Sequence, residues 1–260
     1  MRGRPAADPT DLPRQLAELA RKAERAAGRR NRGTASEVPV GLPRGAAREH
    51  AIARVSQLYH GELMTARLCG LLTRQVPLAE ARRCLALQRE DEQVHAGLYG
   101  GYLGALDGLA PRQPVHDLLE QEAAAWQGPP EALILAVHVL LEGEAALWQR
   151  NAAFWLPCPQ FQALNREIAH DEARHIAFGR LYLPPALAAL SRGERLAIYH
   201  WLRDLWAKAW ARFQDGRGDL TAVSDAVLRA WSGYRWRHWQ GELMRIGLYG
   251  AEERPTFERG

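Results

Sequence analysis

The spacing of apolar residues along the chain predicts a protein built almost entirely of helices. Apolar residues recur at steps of three and four, Gly and Pro cluster in short breaks, and no stretch shows the alternation expected of a strand. The predicted helices cover residues 9–28, 46–74, 78–107, 115–127, 130–155, 159–182, 192–213 and 220–247. The sequence therefore predicts an all-α fold.

The middle of the chain contains an internal repeat at an offset of eighty residues. The matched positions are Glu62 with Glu142, Pro77 with Pro157, Asp91-Glu92 with Asp171-Glu172, His95 with His175, and Tyr102-Leu103 with Tyr182-Leu183. Two copies of one helical hairpin are implied, and each proline marks a turn. Each proline lies fifteen residues from a Glu on either side, so both glutamates of a hairpin reach the same height, roughly 20 Å from the turn. Four carboxylates are therefore expected to meet at one level inside a bundle.

The Glu and His residues of this repeat have the spacing and chemistry of metal ligands. In the second helix of each hairpin they are three residues apart, so both side chains leave the same helix face. Iron(II) and manganese(II) accept carboxylate and imidazole ligands together, and two such ions need bridging carboxylates between them. One Glu from each of two helices and a Glu-x-x-His pair from each of the other two form the ligand set of dinuclear carboxylate sites. The six candidate ligands are Glu62, Glu92, His95, Glu142, Glu172 and His175.

The duplication favours a metal site over a solvated helix surface. A single Glu-x-x-His is common on exposed helices, but two matched copies with matching turns are not. Four buried acids without cations would also destabilise the fold, because an uncompensated buried carboxylate costs several kcal/mol or shifts its pKa. Glu144 competes with Glu142 as a ligand, but it is turned about 200° away on the helix and breaks the repeat. Glu142 is therefore preferred.

Together with the Asp before each Glu-x-x-His motif, these ligands resemble the ferritin-like di-iron carboxylate superfamily. The resemblance is to the branch that contains the ribonucleotide reductase small subunit and the bacterial monooxygenases, and it covers roughly residues 46–183. It implies a ferritin-like four-helix bundle with additional N-terminal and C-terminal helices. It also implies that Asp91 orients His175 and that Asp171 orients His95, as metal-bound imidazoles are usually fixed. Arg174, inside the second motif, is a further candidate neighbour of the ligands.

Tyr99 has two interpretations. It follows His95 by four residues, the spacing at which the ribonucleotide reductase small subunit resembled here carries its radical tyrosine. A redox role is one interpretation. The other, which we prefer, is a packing tyrosine whose hydroxyl is satisfied by a hydrogen bond.

His138 also has several open roles. It lies four residues before Glu142, where the first repeat has Leu58. It is either an outer hydrogen-bonding group, an extra ligand, a substrate contact or a core histidine. In related N-oxygenases a third histidine ligand lies four residues before the last Glu-x-x-His, but this chain has Ile168 there, which argues against that arrangement.

Positive charge is concentrated at the N-terminus. Residues 1–45 carry ten Arg or Lys and five Asp or Glu, whereas the whole chain has a formal net charge of +4, so the rest of the chain is close to −1. Nucleic-acid-binding proteins usually carry positive charge on the folded surface that contacts phosphates, so a nucleic-acid partner is not expected. Residues 1–45 are interpreted as a basic, partly disordered leader with a helix, residues 46–183 as the bundle, and residues 184–260 as helices packed on it.

Cysteine usage and hydropathy indicate a reduced, cytoplasmic protein. The three cysteines, Cys69, Cys84 and Cys158, are odd in number and show no C-x-x-C spacing. No secretory signal is predicted, and the longest apolar stretch, residues 132–141, is far below the roughly 20 residues that span a bilayer. Aromatic residues of the last long helix are expected to pack it onto the bundle or onto the partner in a homodimer.

The function that these residues predict is oxidation of a small organic substrate with dioxygen. Two iron ions, or one manganese and one iron, would be the cofactor, O2 the cosubstrate, and a ferredoxin or flavin reductase the external electron donor. One alternative is a ferroxidase that stores iron, although the helices after residue 190 argue against it. The other is an RNA-modifying ferritin-like hydroxylase, which the basic leader suggests and which steeply salt-dependent RNA binding would support.

Overall fold

The computed structural model describes residues 11–30, 41–215 and 224–259. All secondary structure within these ranges is helical, as the apolar spacing predicts. The α-helices are α1 (Leu12–Arg30), α2 (Ala46–Gln75), α3 (Ala79–Ala105), α4 (Pro114–Ala125), α5 (Glu131–Ile134), α6 (Glu142–Arg150), α7 (Ala152–Trp155), α8 (Pro159–Ala188), α9 (Arg192–Asp215), α10 (Asp225–Ile246) and α11 (Arg254–Phe257). A π-helical segment, Leu135–Leu141, lies between α5 and α6. Across the described ranges, no helix combines the length and the apolar character needed to cross a bilayer.

Most helix boundaries agree with the sequence prediction to within a few residues, and two do not. The single helix predicted over residues 130–155 is divided into α5, the π-segment, α6 and α7, because the backbone widens at the π-segment and leaves helical geometry at Asn151. The helix predicted to end at residue 182 continues as α8 through Pro184 and Pro185. The predicted start of the last long helix at residue 220 lies outside the described residues.

Helix α1 lies within the basic N-terminal segment and is packed against the body of the protein. Leu16 and Ala20 are buried, and the helix contacts α3 and α8. The thiol of Cys84 donates a hydrogen bond to the carbonyl oxygen of Leu16, with an Sγ to O distance of 3.4 Å. The sequence predicted this helix but not its burial. Residues 1–10 and 31–40 of the predicted leader lie outside the described residues.

Four helical segments form the two predicted hairpins. Helix α2 packs along α3, and the π-segment and α6 pack along α8, while α3 also contacts α8. The predicted turns are present: residues 76–78, including Pro77, separate α2 from α3, and residues 156–158, including Pro157, separate α7 from α8. Since each turn is short, the helices that it joins run antiparallel. The two glutamates of each hairpin, which are equally far from its turn, therefore reach the same level.

The C-terminal helices pack onto these hairpins. Helix α9 contacts α4 and α5, and α10 contacts α8 and α9. Ile198, Leu202 and Leu243 are fully buried in the same core as the hairpin residues. Helix α10 begins after Ser224, whose hydroxyl accepts a hydrogen bond from the backbone of Val227. It ends at Gly247, whose φ of 98° gives a left-handed helix cap that glycine adopts without steric cost.

Candidate metal centre

The structure brings all six candidate ligands together in one buried cluster. They form two overlapping groups, and within each group one ligand atom of every residue lies within 4.8 Å of the others. The first position consists of Glu62, Glu92, His95 and Glu172, and the second consists of Glu92, Glu142, Glu172 and His175. Each group could hold a metal ion. Because Glu92 and Glu172 belong to both groups, two ions could share these carboxylates.

The ring of His95 presents an unpaired nitrogen to three carboxylates. Its Nδ1 is buried and has no hydrogen-bond partner. It lies 3.4 Å from an oxygen of Glu92, 3.6 Å from one of Glu172 and 3.8 Å from one of Glu62. A buried polar atom without a partner is costly, and a lone pair facing carboxylate oxygens is repelled by them. A cation between these four atoms would remove both penalties, so the residues present fit a metal ion.

Each of the two histidine rings forms a hydrogen bond with an Asp of the other hairpin. His95 Nε2 donates a hydrogen bond to Asp171 Oδ2 at 3.1 Å, and His175 Nε2 donates to Asp91 Oδ2 at 3.3 Å. This crosswise pattern is the one that the resemblance implies. Hydrogen bonds of this kind fix the ring and turn Nδ1 towards the candidate ligands. His175 Nδ1 lies 3.1 Å from Glu172 Oε2, in hydrogen-bond contact.

Arg174 connects the two Asp residues. Its guanidinium donates to Asp91 Oδ2 at 3.1 Å and also to Asp171 Oδ1. The cation therefore balances part of the negative charge behind the histidines. Since Asp91 and Asp171 hold rings from different hairpins, Arg174 also ties the two halves of the site together.

Without a metal ion, the cluster balances its charge with protons. Burial and the neighbouring carboxylates raise the pKa of Glu62 and of Glu142 well above their usual range. Burial acts to raise the pKa of Glu172 as well, but the hydrogen bond and charge of His175 outweigh it and hold the pKa at about 2. Burial disfavours protonation of His95 and His175, yet the surrounding carboxylates raise the pKa of both rings. A bound cation would replace these protons, so metal binding must release them.

Sequence reasoning missed Gln88, which contacts the second position directly. Its Nε2 donates to Glu92 Oε1 and to Glu142 Oε1, both at 3.0 Å. Its Oε1 accepts a hydrogen bond from His138 Nε2 at 2.8 Å. One signal was present in the sequence: Gln88 lies four residues before Glu92 on the same helix face, where the second repeat has Ile168.

His138 lies in neither of the two groups of candidate ligands. Burial and the charge of His175 lower the pKa of His138 to about 3, so its ring is neutral. Of the roles left open by the sequence, the structure supports an outer hydrogen-bonding group that acts through Gln88. His138 belongs to the π-segment, which ends one residue before Glu142. Short π-helical turns are rare and often occur at functional sites.

Tyr99 is fully buried near the first position, with its hydroxyl satisfied. The hydroxyl donates to Asn165 Oδ1 at 3.2 Å, and Asn165 Nδ2 in turn donates to the carbonyl oxygen of Gln149 at 3.0 Å. Burial and the nearby carboxylates raise the pKa of Tyr99 well above its usual range. These contacts are those expected of a packing tyrosine, and a redox role stays a prediction.

Glu144, the rejected alternative to Glu142, faces away from the cluster and binds helix α10. Its Oε1 accepts hydrogen bonds from Arg235 Nε at 2.9 Å and from Trp239 Nε1 at 2.8 Å. The indole of Trp239 lies against Gly143, where an added Cβ would be 2.2 Å from the ring. Only glycine allows this approach, so α10 supports the backbone directly beside the candidate ligand Glu142.

Comparison of the chain with protein families, with curated proteins and with solved structures found no match.

Proposed function

We propose that the protein is a dinuclear metalloenzyme of the ferritin-like class that uses dioxygen to oxidise a small organic substrate. The four segments that carry the cluster would then be a ferritin-like four-helix bundle. An external donor of the ferredoxin or flavin reductase type would supply electrons. The observation that carries the proposal is the pair of overlapping ligand groups that share Glu92 and Glu172.

The donor set supports iron, or manganese with iron, as the cofactor. Four carboxylates and two imidazoles, without a thiolate ligand, suit these metals better than zinc or copper(I). Two such ions would supply the reducing electrons and open coordination positions with which dioxygen is activated. Glu62 and His95 would hold one ion, Glu142 and His175 would hold the other, and Glu92 and Glu172 would contribute to both positions.

The remaining residues of the site would orient ligands, exclude water and handle protons. Asp91 and Asp171 hold the Nε2 hydrogens of the histidines, so that only Nδ1 faces the metal positions. All six candidate ligands are at least nine-tenths buried, which keeps bulk water from the reacting centre. Protons leave Nδ1 of the histidines and the carboxylates when metal enters.

Metal stoichiometry tests the dinuclear site. Protein reconstituted with iron(II) under anaerobic conditions should bind two equivalents, measured by metal analysis after desalting. The double variant Glu92→Ala/Glu172→Ala removes both shared ligands and should retain fewer than 0.2 equivalents, roughly a tenfold loss. A matched control is Glu90→Ala/Glu167→Ala, because these acids lie on the same two helices but are exposed.

The outcomes separate the proposal from its alternatives. Undiminished binding by the Glu92→Ala/Glu172→Ala variant, or wild-type binding well below two equivalents, would refute the dinuclear site. If the site is present, substrate-dependent dioxygen consumption by the iron-loaded protein supports the oxidase. Accumulation of many iron atoms per chain would indicate storage instead, and salt-sensitive RNA binding lost on deletion of residues 1–45 would indicate an RNA-modifying enzyme.

A further inference from the structure

The two halves of the site differ at the positions that surround the ligands. Where one hairpin has Gln88, the repeat places Ile168 in the other, and where one has His138 the other has Leu58. The ligands themselves are matched exactly between the repeats. The differences therefore lie in the groups around the ligands, and the polar pair of Gln88 and His138 lies beside the second position.

The absence of a side chain at residue 179 leaves room for His138. Gly179 faces it, and a Cβ added there would lie 2.8 Å from the Cβ of His138, closer than real Cβ atoms approach. The repeat equivalent of Gly179 is Tyr99, whose large ring packs in the core that includes Leu58 at its edge. The second hairpin thus has a glycine beside His138 where the first has a tyrosine in the core that includes Leu58. On the other side, the ring of His138 packs against Phe178, with centroids 4.9 Å apart.

The hydrogen bonds of this pair have one consistent direction. The Gln88 amide can present either its oxygen or its NH2 group to Glu92 and Glu142. In the structure the NH2 group faces them, with one hydrogen for each of the two carboxylate oxygens at 3.0 Å. This orientation suits metal binding, because a carboxylate that binds a metal only accepts hydrogen bonds. The amide oxygen then faces His138, whose Nε2–H donates to it at 2.8 Å. Loss of that donor would remove the contact that holds the amide in this orientation.

Glu62, the repeat equivalent of Glu142, lacks such a partner. Within residues 11–30, 41–215 and 224–259, no side-chain amide donates a hydrogen bond to it, and His95 Nδ1 lies 3.8 Å from its Oε2. One terminal carboxylate is therefore held by a side-chain amide before a metal arrives, and the other is not. A fixed ligand loses less conformational entropy on binding.

We propose that Gln88, oriented by His138, is a positioning residue that fixes Glu142, a ligand of the second position alone, and so makes the second metal position the tighter of the two. This inference rests on the dinuclear site of the proposed function. It predicts that metal fills the second position first and the first position afterwards. The two ions would then differ in affinity although their ligands are matched by the repeat.

Titration of metal-free protein with cobalt(II) tests this order. Cobalt(II) is a spectroscopic probe, so visible absorption and calorimetry together resolve each binding step without any enzymatic activity. Wild-type protein should bind two equivalents in two steps. Gln88→Leu removes the amide at similar volume and should weaken the tighter step about 10- to 100-fold. The weaker step depends on Gln88 only through the shared ligand Glu92 and should change by a smaller factor. The absorption band of the tighter step should shift, which a purely structural residue would not cause.

Variants of His138 provide an independent test if Gln88→Leu does not fold. His138→Leu, which installs the residue of the first repeat, should weaken the same step. His138→Gln keeps a side-chain N–H donor and should restore most of the affinity. The matched control is Ile168→Leu, at the repeat equivalent of Gln88, which should leave both steps unchanged.

The possible results distinguish the inference from the function on which it depends. Wild-type binding of two equivalents in a single step, or equal weakening of both steps by Gln88→Leu and by His138→Leu, overturns the positioning role. Wild-type affinities retained in both variants overturn it as well. Wild-type binding of fewer than two equivalents overturns the dinuclear site itself.

Discussion

Asp91 and Asp171 each hold a histidine ring from the opposite hairpin, so each should affect one metal position. Asp171→Asn weakens the acceptor behind His95, and we expect about a 10- to 100-fold loss of affinity at the first position. Asp91→Asn should produce the corresponding loss at the second position through His175. Cobalt(II) titration of both variants checks this assignment, and weakening of the same step by both would contradict it.

His116 lies on α4 and is not one of the candidate ligands. It should make the free energy of unfolding depend on pH. Burial and the neighbouring Arg112 lower the pKa of its ring to about 4. In the unfolded chain the ring has its ordinary pKa of 6.5, so the folded state loses stability as pH falls from 6.5 to 4. The loss amounts to about 3 kcal/mol, since one pKa unit corresponds to about 1.4 kcal/mol.

Denaturant unfolding of metal-free protein at pH 7, 5.5 and 4 measures this effect. The variant His116→Gln cannot take up the proton, so its stability should fall less than that of the wild type over this range. His170→Gln, at an exposed histidine, is the control and should follow the wild type. Parallel pH profiles of wild type and His116→Gln would show that the buried ring contributes nothing.

At the scale of whole elements, α1 should contribute to stability through its buried face. Leu16 is fully buried between α1 and the hairpins. Leu16→Ala should lower the free energy of unfolding by about 3 kcal/mol, the usual cost of a large-to-small change in a core. Glu18→Ala on the exposed face should change it by less than about 0.5 kcal/mol. Similar unfolding curves for the two variants would mean that α1 is only loosely attached.

The elements that the sequence predicted well are those with a regular pattern. The helices follow from apolar spacing, and the repeat aligned Glu62 with Glu142 and located both turns. The repeat could not reveal Gln88, because that residue acts where the two copies differ and its partner His138 is fifty residues away. The π-segment was also out of reach, since all of its residues except His138 are apolar and the pattern fits an α-helix equally well.

The packing of α1 was missed for a different reason. Its arginines dominate the local composition and suggest a solvated segment, whereas burial depends on a few small or apolar residues such as Leu16 and Ala20. The attachment of α10 through Glu144 was also not predicted. Side-chain pairs that join residues about ninety positions apart leave no local pattern.

At the scale of the whole molecule, metal binding should stabilise the fold in a pH-dependent manner. Metal at about 100 times its dissociation constant adds about 2.7 kcal/mol for one site, which corresponds to a rise in Tm of roughly 5 to 10 °C for a chain of this size. The carboxylates raise the pKa of His95 and His175, so protons compete with metal as pH falls. Differential scanning calorimetry with manganese(II) should therefore show a larger rise at pH 7.5 than at pH 5.5. Equal rises at both pH values, or the same rise in Glu92→Ala/Glu172→Ala, would contradict this linkage.

Chemical labelling of the three cysteines can show which parts of the folded protein open. All three thiols are free and buried, and burial raises the pKa of Cys84 to about 11 and that of Cys69 well above its usual range. Alkylating reagents attack thiolates, so they react only after a segment has moved away. Cys84 lies under α1, Cys69 lies near the acids of the cluster, and Cys158 lies at the start of α8. The order in which mass spectrometry finds them labelled would rank these three regions by how readily each one opens.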